Sequence, residues 1–279
     1  MANCYTTLAT IKDAGVLGIT GSTYDAQITR IIEESSRMID NYTERFFYIY
    51  EGTIYQDGGS PKLVLDWDLQ ELTTLLLDED GDGTFETSTD PTTAPVDFFQ
   101  YPLNKTPKIR LEINSGGSIG GFAPGVQKGI QMTGLFGYGA DWPESYTFDS
   151  GTVVASDITS TGVTLTASTP GSIEAGMTLR IGSEQLFVPV ANTTSATIER
   201  AKNGTTAAAA TTGTAITIYD YPQAIKQATL IQAIRTWKRR ESAYVNAIIN
   251  TDMGSIQVFK GLDADVKEII NQYRRTRYP

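Results

Sequence analysis

The sequence predicts an α+β fold: a helical bundle formed by both chain ends, a β-hairpin-rich middle and a small inserted all-β module. Three observations lead there. Apolar residues recur at three- and four-residue steps near both ends, the period of a helix with one buried face. Residues 48–114 read as strands joined by tight turns. Residues 149–220 turn to Thr, Ala, Gly, Ser and Val, with little charge and no Trp. The division that follows is 1–148 plus 221–279 as the core and 149–220 as the module.

Residues 5–14 read as a short first helix, closed by Gly15 and Gly18. The long helix follows, over 24–47. Ile28, Ile31, Ile32, Ser35, Met38, Ile39 and Tyr42 share its apolar face, and Arg30, Glu33, Glu34, Arg37 and Asp40 the polar one. Ser22 and Asp25 have capping-box spacing at its start. Such a helix is marginal alone in water, so its stripe must pack on something, and the apolar helices at the far end are the candidates.

Thr53–Tyr55, Lys62–Leu65 and Leu72–Leu77 read as strands, with turns by composition at 57–61 and 78–86. Residues 108–113 alternate with period two, as a half-buried strand does. Gly116–Gly129 is glycine-rich. It carries no GxxxxGK[ST] string, so a mobile loop is preferred to a phosphate cradle. Residues 130–139 form a strand with a glycine-broken end. In the module, 178–181, 185–188, 196–200 and 215–218 read as short strands. Pro222 suits a first helical turn. Ala224, Ala228, Ile231, Ile234 and Trp237 supply the apolar face that follows it, and Asp263 starts a last helix over 264–273.

The composition excludes several chemistries. None of the 279 residues is His. Ser-His-Asp and Cys-His nucleophilic systems and histidine metal sites are therefore absent. Cys4 is the single cysteine, so no disulfide forms within one chain. Asp66, Asp68 and Glu71 are the nearest carboxylate cluster, but no set of acid, base and nucleophile can be assembled around them, and the expectation is no enzyme and no cofactor. No apolar run approaches the roughly 20 residues of a membrane span.

The net charge of −10 is unevenly spread: residues 222–279 carry 10 Lys+Arg against 5 Asp+Glu. The acidic majority opposes wrapping of duplex DNA. The basic end fits either an acidic partner or solvated helices with cationic C-termini. Asp78, Asp80 and Asp82 with Gly83 match the first half of a calcium loop, but Thr89 stands where a bidentate Glu belongs. An acidic hairpin turn is the competing reading, and no metal is expected.

Four stretches carry a family resemblance. They are Tyr5–Lys12; Ile31–Phe47, with its Ile-Asp-x-Tyr-x-x-Arg-x-Phe end; Gly134–Tyr138 with Pro143, followed by Pro222–Ala228; and Asp263–Arg275. In order and spacing they resemble the head–tail adaptors of tailed bacteriophages, also called connector or head-completion proteins. The family normally runs from the Gly-Tyr-Gly strand straight into the Pro-initiated helix. Here residues 149–220 interrupt, and Gly182–Thr205 is similar to a small β module of other phage structural proteins.

The resemblance implies a structural virion protein at the neck, made in the host cytoplasm. It implies a ring, usually of twelve copies, below the portal protein, with a tail, stopper or tail-terminator protein beneath. DNA passes through the lumen without sequence-specific binding, and no membrane is involved. Arg274, Arg275, Arg277 and Tyr278 are the candidate portal contacts, against a frayed tail as the alternative. Arg45, Tyr42, Phe46 and Trp237 are candidates for core and assembly. The rival class is a carbohydrate- or cell-binding adhesin or tail component, suggested by the Thr/Gly-rich module and by Tyr48, Tyr50 and Trp67.

Overall fold

The computed structural model describes residues 3–13, 15–59, 61–89, 96–139, 147–241, 247–250, 254–257 and 261–275. By internal contacts the chain divides into two units. One holds Met1–Glu44, Thr147–Lys202 and Thr206–Arg275; the other holds Arg45–Tyr146, Asn203–Thr205 and Thr276–Pro279. This grouping does not follow the bounds 1–148 plus 221–279 and 149–220.

The first unit contains the four α-helices of the described residues: α1 (Leu8–Lys12), α2 (Asp25–Thr43), α3 (Gln223–Glu241) and α4 (Ala264–Ile270). The Thr7 hydroxyl accepts from the Thr10 N–H and caps α1. In α2, Ile28, Ile31, Ile32, Ser35 and Ile39 are buried as their spacing requires. Ser36 and Thr43 complete that face, where Met38 and Tyr42 were expected. The capping box does not form: Tyr24 is the N-cap and makes no side-chain cap. The helix also stops short of Phe47. Glu44 takes a left-handed conformation (φ 54°), and its N–H returns to the Asp40 carbonyl. α2 packs on α3, α3 on α4, and α1 on both α2 and α3. Ile11, Ile28, Ile32, Ala233 and Trp237 share one core there.

The same unit holds a six-stranded antiparallel sheet. Its strands are β7 (Thr147–Val153), β8 (Thr164–Leu165), β9 (Thr178–Ile181), β10 (Glu184–Ala191), β11 (Ala196–Glu199) and β12 (Ala215–Tyr219), in the order β7-β12-β9-β10-β11-β8. Strand alternation explains how β10 serves two cores. Leu186 and Val188 join the sheet's own core, whereas Phe187 lies in the helical core beside Ile11 and Trp237. A two-stranded sheet pairs β13 (Ala247–Asn250) with β14 (Gly254–Gln257).

The second unit is a second six-stranded antiparallel sheet: β1 (Tyr50–Gln56), β2 (Lys62–Leu77), β3 (Thr87–Thr89), β4 (Phe98–Tyr101), β5 (Lys108–Ile113) and β6 (Ile130–Phe136), in the order β1-β6-β2-β5-β4 with β3 on β2. Residues 62–77 are one strand, where separate strands at 62–65 and 72–77 were expected. Its register shifts against β6 between Leu69 and Glu71 and between Leu72 and Thr74. Such bulges bend a strand without ending it. At the second, Gly134 is required, since a Cβ there would lie 2.2 Å from the Glu71 carbonyl oxygen. Leu65, Leu69, Leu75, Phe98, Met132 and Phe136 lie in this unit's core.

The expected α+β class built on a helical bundle is therefore overturned. The described chain is mostly β, two six-stranded antiparallel sheets with four helices. The physical reason lies in non-local pairing. β12 lies between β7 and β9, and β6 between β1 and β2, so sheet size is set by partners distant in sequence rather than by any local pattern.

Candidate functional site

The residues singled out in the sequence fall in separate places. Tyr42, in the last turn of α2, donates its hydroxyl to Asn271 Oδ1 at 2.7 Å. The Arg275 N–H donates to the Thr43 carbonyl at 2.8 Å, and the exposed Arg274 guanidinium lies 5.7 Å from the Tyr42 ring centroid. The chain is thus held against the end of α2 as far as Arg275. Arg277 and Tyr278 lie outside the described residues, as does Pro143. Trp237 is buried in the helical core, edge-on to Tyr24 at 5.4 Å, with the Arg240 guanidinium 3.8 Å from its ring.

In the second unit, Arg45 Nη1 donates to Asp68 Oδ2 at 2.8 Å, and its guanidinium stacks 4.8 Å from the Tyr138 ring. Phe46 packs on Tyr48 at 4.7 Å and on Trp67 at 5.2 Å. The Asp66, Asp68 and Glu71 cluster does not converge on a reaction centre, because Asp68 is buried and committed to Arg45.

The acidic loop after β2 brings Asp78, Asp80 and Glu86 oxygens within 4.8 Å of one another, with Glu86 in place of Asp82. Asp78 is 3% exposed, and both its oxygens are occupied: Oδ1 accepts from the Gly81 N–H and Oδ2 from the Gly83 N–H. Asp82 Oδ1 accepts from Thr84 N–H. These are the bonds of a side-chain-stabilised turn.

The feature with the geometry of a binding site is a cavity of about 530 Å³ within the first unit. It lies among the segment before α1, strands β7, β9 and β12 with the turn before β9, and the first half of α3. Local chemistry holds these walls together. The Leu8 N–H donates to the Ala175 carbonyl at 3.0 Å. Gly176, at φ +98°, lets the turn approach the Thr6 carbonyl, from which a Cβ would be only 3.0 Å away. The Tyr221 hydroxyl donates to Thr178 Oγ1, which donates on to Asn3 Oδ1 at 3.1 Å. The Tyr5 and Tyr221 rings meet edge-on at 4.7 Å.

Burial pushes the Tyr221 phenol up and the Cys4 thiol up to about 12, so both stay neutral. Lys226 Nζ pairs with Asp220 Oδ1 at 2.7 Å. Among the described residues the Glu174 carboxylate has no partner, and the 7%-exposed Thr6 makes no side-chain hydrogen bond.

Sequence reasoning did not find this cavity. Its N-terminal wall lies more than a hundred residues from the other stretches in sequence, and no motif links Thr6, Phe148, Glu174 and Tyr219. Comparison with family models returns no match, and neither does comparison with curated proteins.

Proposed function

We propose that this chain is a structural protein of the neck of a tailed-phage virion, a head–tail adaptor and not an enzyme. Identical copies form a ring, most simply of twelve, that docks on the portal protein above and on a tail, stopper or tail-terminator protein below. The observation that carries this reading is the tie between α2 and the last helix. These are the two longest stretches of the family resemblance, from opposite ends of the chain. Tyr42 bonds Asn271, and the Arg275 N–H bonds the Thr43 carbonyl. Elements read as characteristic of one family are thus neighbours in one unit.

Two further observations support it. The net charge of −10 suits a lumen along which DNA slides without sticking. Among the described residues no helix is long and apolar enough to cross a membrane. A second reading, a carbohydrate- or cell-binding tail component, is favoured by one observation: Trp67 is 37% exposed beside Phe46 and Tyr50.

Native mass measurement of the full chain over rising concentration, with negative-stain images of the same samples, tests the proposal. Closed hollow rings of identical copies are expected. A monomer at every concentration overturns the adaptor reading, and an elongated trimer replaces it with the adhesin.

A further inference from the structure

The cavity of the first unit has an unbalanced set of charges. Two acidic side chains and one basic one line it: Glu174, Asp220 and Lys226. Lys226 is committed to Asp220 at 2.7 Å, whereas Glu174 has no partner among the described residues. The other titratable groups on the walls are Cys4 and tyrosines, so acidic side chains outnumber the basic one on the lining. A helix N-terminus ordinarily favours an anion. That of α3 already has a carboxylate beside it, Asp220, which immediately precedes the Tyr-Pro before the helix. The field of the cavity therefore selects a cation.

The rest of the lining selects what kind of cation. Phe148 stands at the cavity with 47% of its surface exposed, an apolar ring left in water. Tyr219 and Tyr221 add aromatic surface. Aromatic faces attract cations through the ring quadrupole, and most strongly where water is excluded. Leu230 and Met177 add apolar wall that a bare metal ion would leave unused. Thr6, a residue 7% exposed and without a side-chain hydrogen bond among the described residues, offers a hydroxyl oxygen on the cavity wall to an N–H donor. The volume of about 530 Å³ lies in the range of small-molecule sites.

We propose that this cavity binds an alkylammonium group, its charge on Glu174 and its hydrocarbon stem against Phe148. The ammonium donates to the Glu174 carboxylate and to the Thr6 hydroxyl oxygen. Asp220 stays with Lys226 and holds that competing cation aside. The same chemistry is offered by a free aliphatic amine and by a lysine side chain of a second copy of the chain.

Calorimetric titration of the full chain with n-butylammonium, butanol and butyrate tests this, because the three share a stem and differ in charge. Millimolar binding of butylammonium is expected, with butanol and butyrate weaker by about ten-fold or more. Glu174→Gln is expected to weaken butylammonium about ten-fold and to leave butanol unchanged. Phe148→Ala weakens butylammonium and butanol alike. Glu174 is half-buried and Phe148 exposed, and circular dichroism checks that both variants fold. Equal binding of butanol and butylammonium, a preference for butyrate, no heat with millimolar butylammonium, or an unaltered Glu174→Gln variant overturns the proposal. Native mass with butylammonium present separates the two sources. Loss of an oligomer assigns the cation to a neighbouring copy's lysine, and an unchanged mass assigns it to a free amine.

Discussion

Glu184 and Arg200 meet as a two-pronged ion pair at the root of the long loop that leaves β11. Arg200 Nε donates to Oε1 at 2.8 Å and Nη2 to Oε2 at 2.5 Å. The carboxylate is 2% exposed and also accepts from the Ala201 and Ala208 N–H groups. Arg200 Nη1 reaches across to the Thr159 and Gly162 carbonyls. One pair thus ties together three loops whose Thr/Ala-rich sequence gives them little apolar surface to bury.

Arg200→Ala is expected to cost about 3–5 kcal/mol, because it strands a buried carboxylate. Burial works to raise the Glu184 pKa, but Arg200 and the two N–H donors overcome it and hold it below the ordinary 4.5. A carboxylate with a depressed folded pKa stabilises above its unfolded value, and that stability fades as pH falls through the folded one. Urea unfolding at pH 7 and at pH 3 should show the Arg200→Ala penalty shrinking at the lower pH. A penalty under about 1 kcal/mol at pH 7 would mean that the pair is effectively solvated.

Asp40 gives the opposite sign. Burial raises its pKa from 3.8 to about 7, although Arg37 at 3.1 Å and the Tyr5 hydroxyl at 2.6 Å both favour the charged form. The folded protein then keeps a proton that the unfolded chain releases, so this group makes stability decline as pH rises from about 4 to about 7. Asp40→Asn should flatten that part of the curve in urea unfolding. If the variant keeps the slope, another group is responsible for it.

What was legible in the sequence was local. The stripe from Ile28 to Ile39 repeats at the helical period, and α2 follows it. The Pro222 start of α3 and the alternation of β5 are equally self-contained. Residues 62–77 were not legible as one strand, because Asp66, Asp68, Gln70 and Glu71 interrupt the apolar runs at its two ends. The structure carries the strand through them, burying Asp68 against Arg45 and Gln70 against the Gly137 carbonyl. Phe187 has the same lesson. Its alternation shows that it faces away from Leu186 and Val188, but not that helices lie on that side. The cavity residues carry no pattern at all, since only tertiary folding gathers them.

The Arg45–Asp68 pair is the sharper test of the second unit. Asp68 is 2% exposed, and Arg45 also covers the Tyr138 ring. Arg45→Ala should cost about 3 kcal/mol or more, whereas Arg30→Ala, on the exposed face of α2, should stay within about 0.5 kcal/mol. Under the adaptor proposal the yield of closed rings falls for Arg45→Ala and holds for Arg30→Ala. Equal unfolding midpoints for the two variants would remove Arg45 from the set of assembly candidates.

The acidic loop can be tested without presuming a ligand. Asp78 is buried with both oxygens on backbone N–H groups, so the turn is satisfied as it stands. Asp78→Ala leaves the Gly81 and Gly83 donors unpaired, and about 1–3 kcal/mol should be lost. That loss should be the same in chelator and in millimolar calcium, because it comes from the turn's own hydrogen bonds. Asp80→Asn, at an exposed position, should change stability by less than about 0.5 kcal/mol in either buffer. A wild-type midpoint that rises with calcium, and an Asp80→Asn midpoint that does not, would make the loop a calcium site after all. The measurement is paired thermal unfolding of the three proteins in the two buffers.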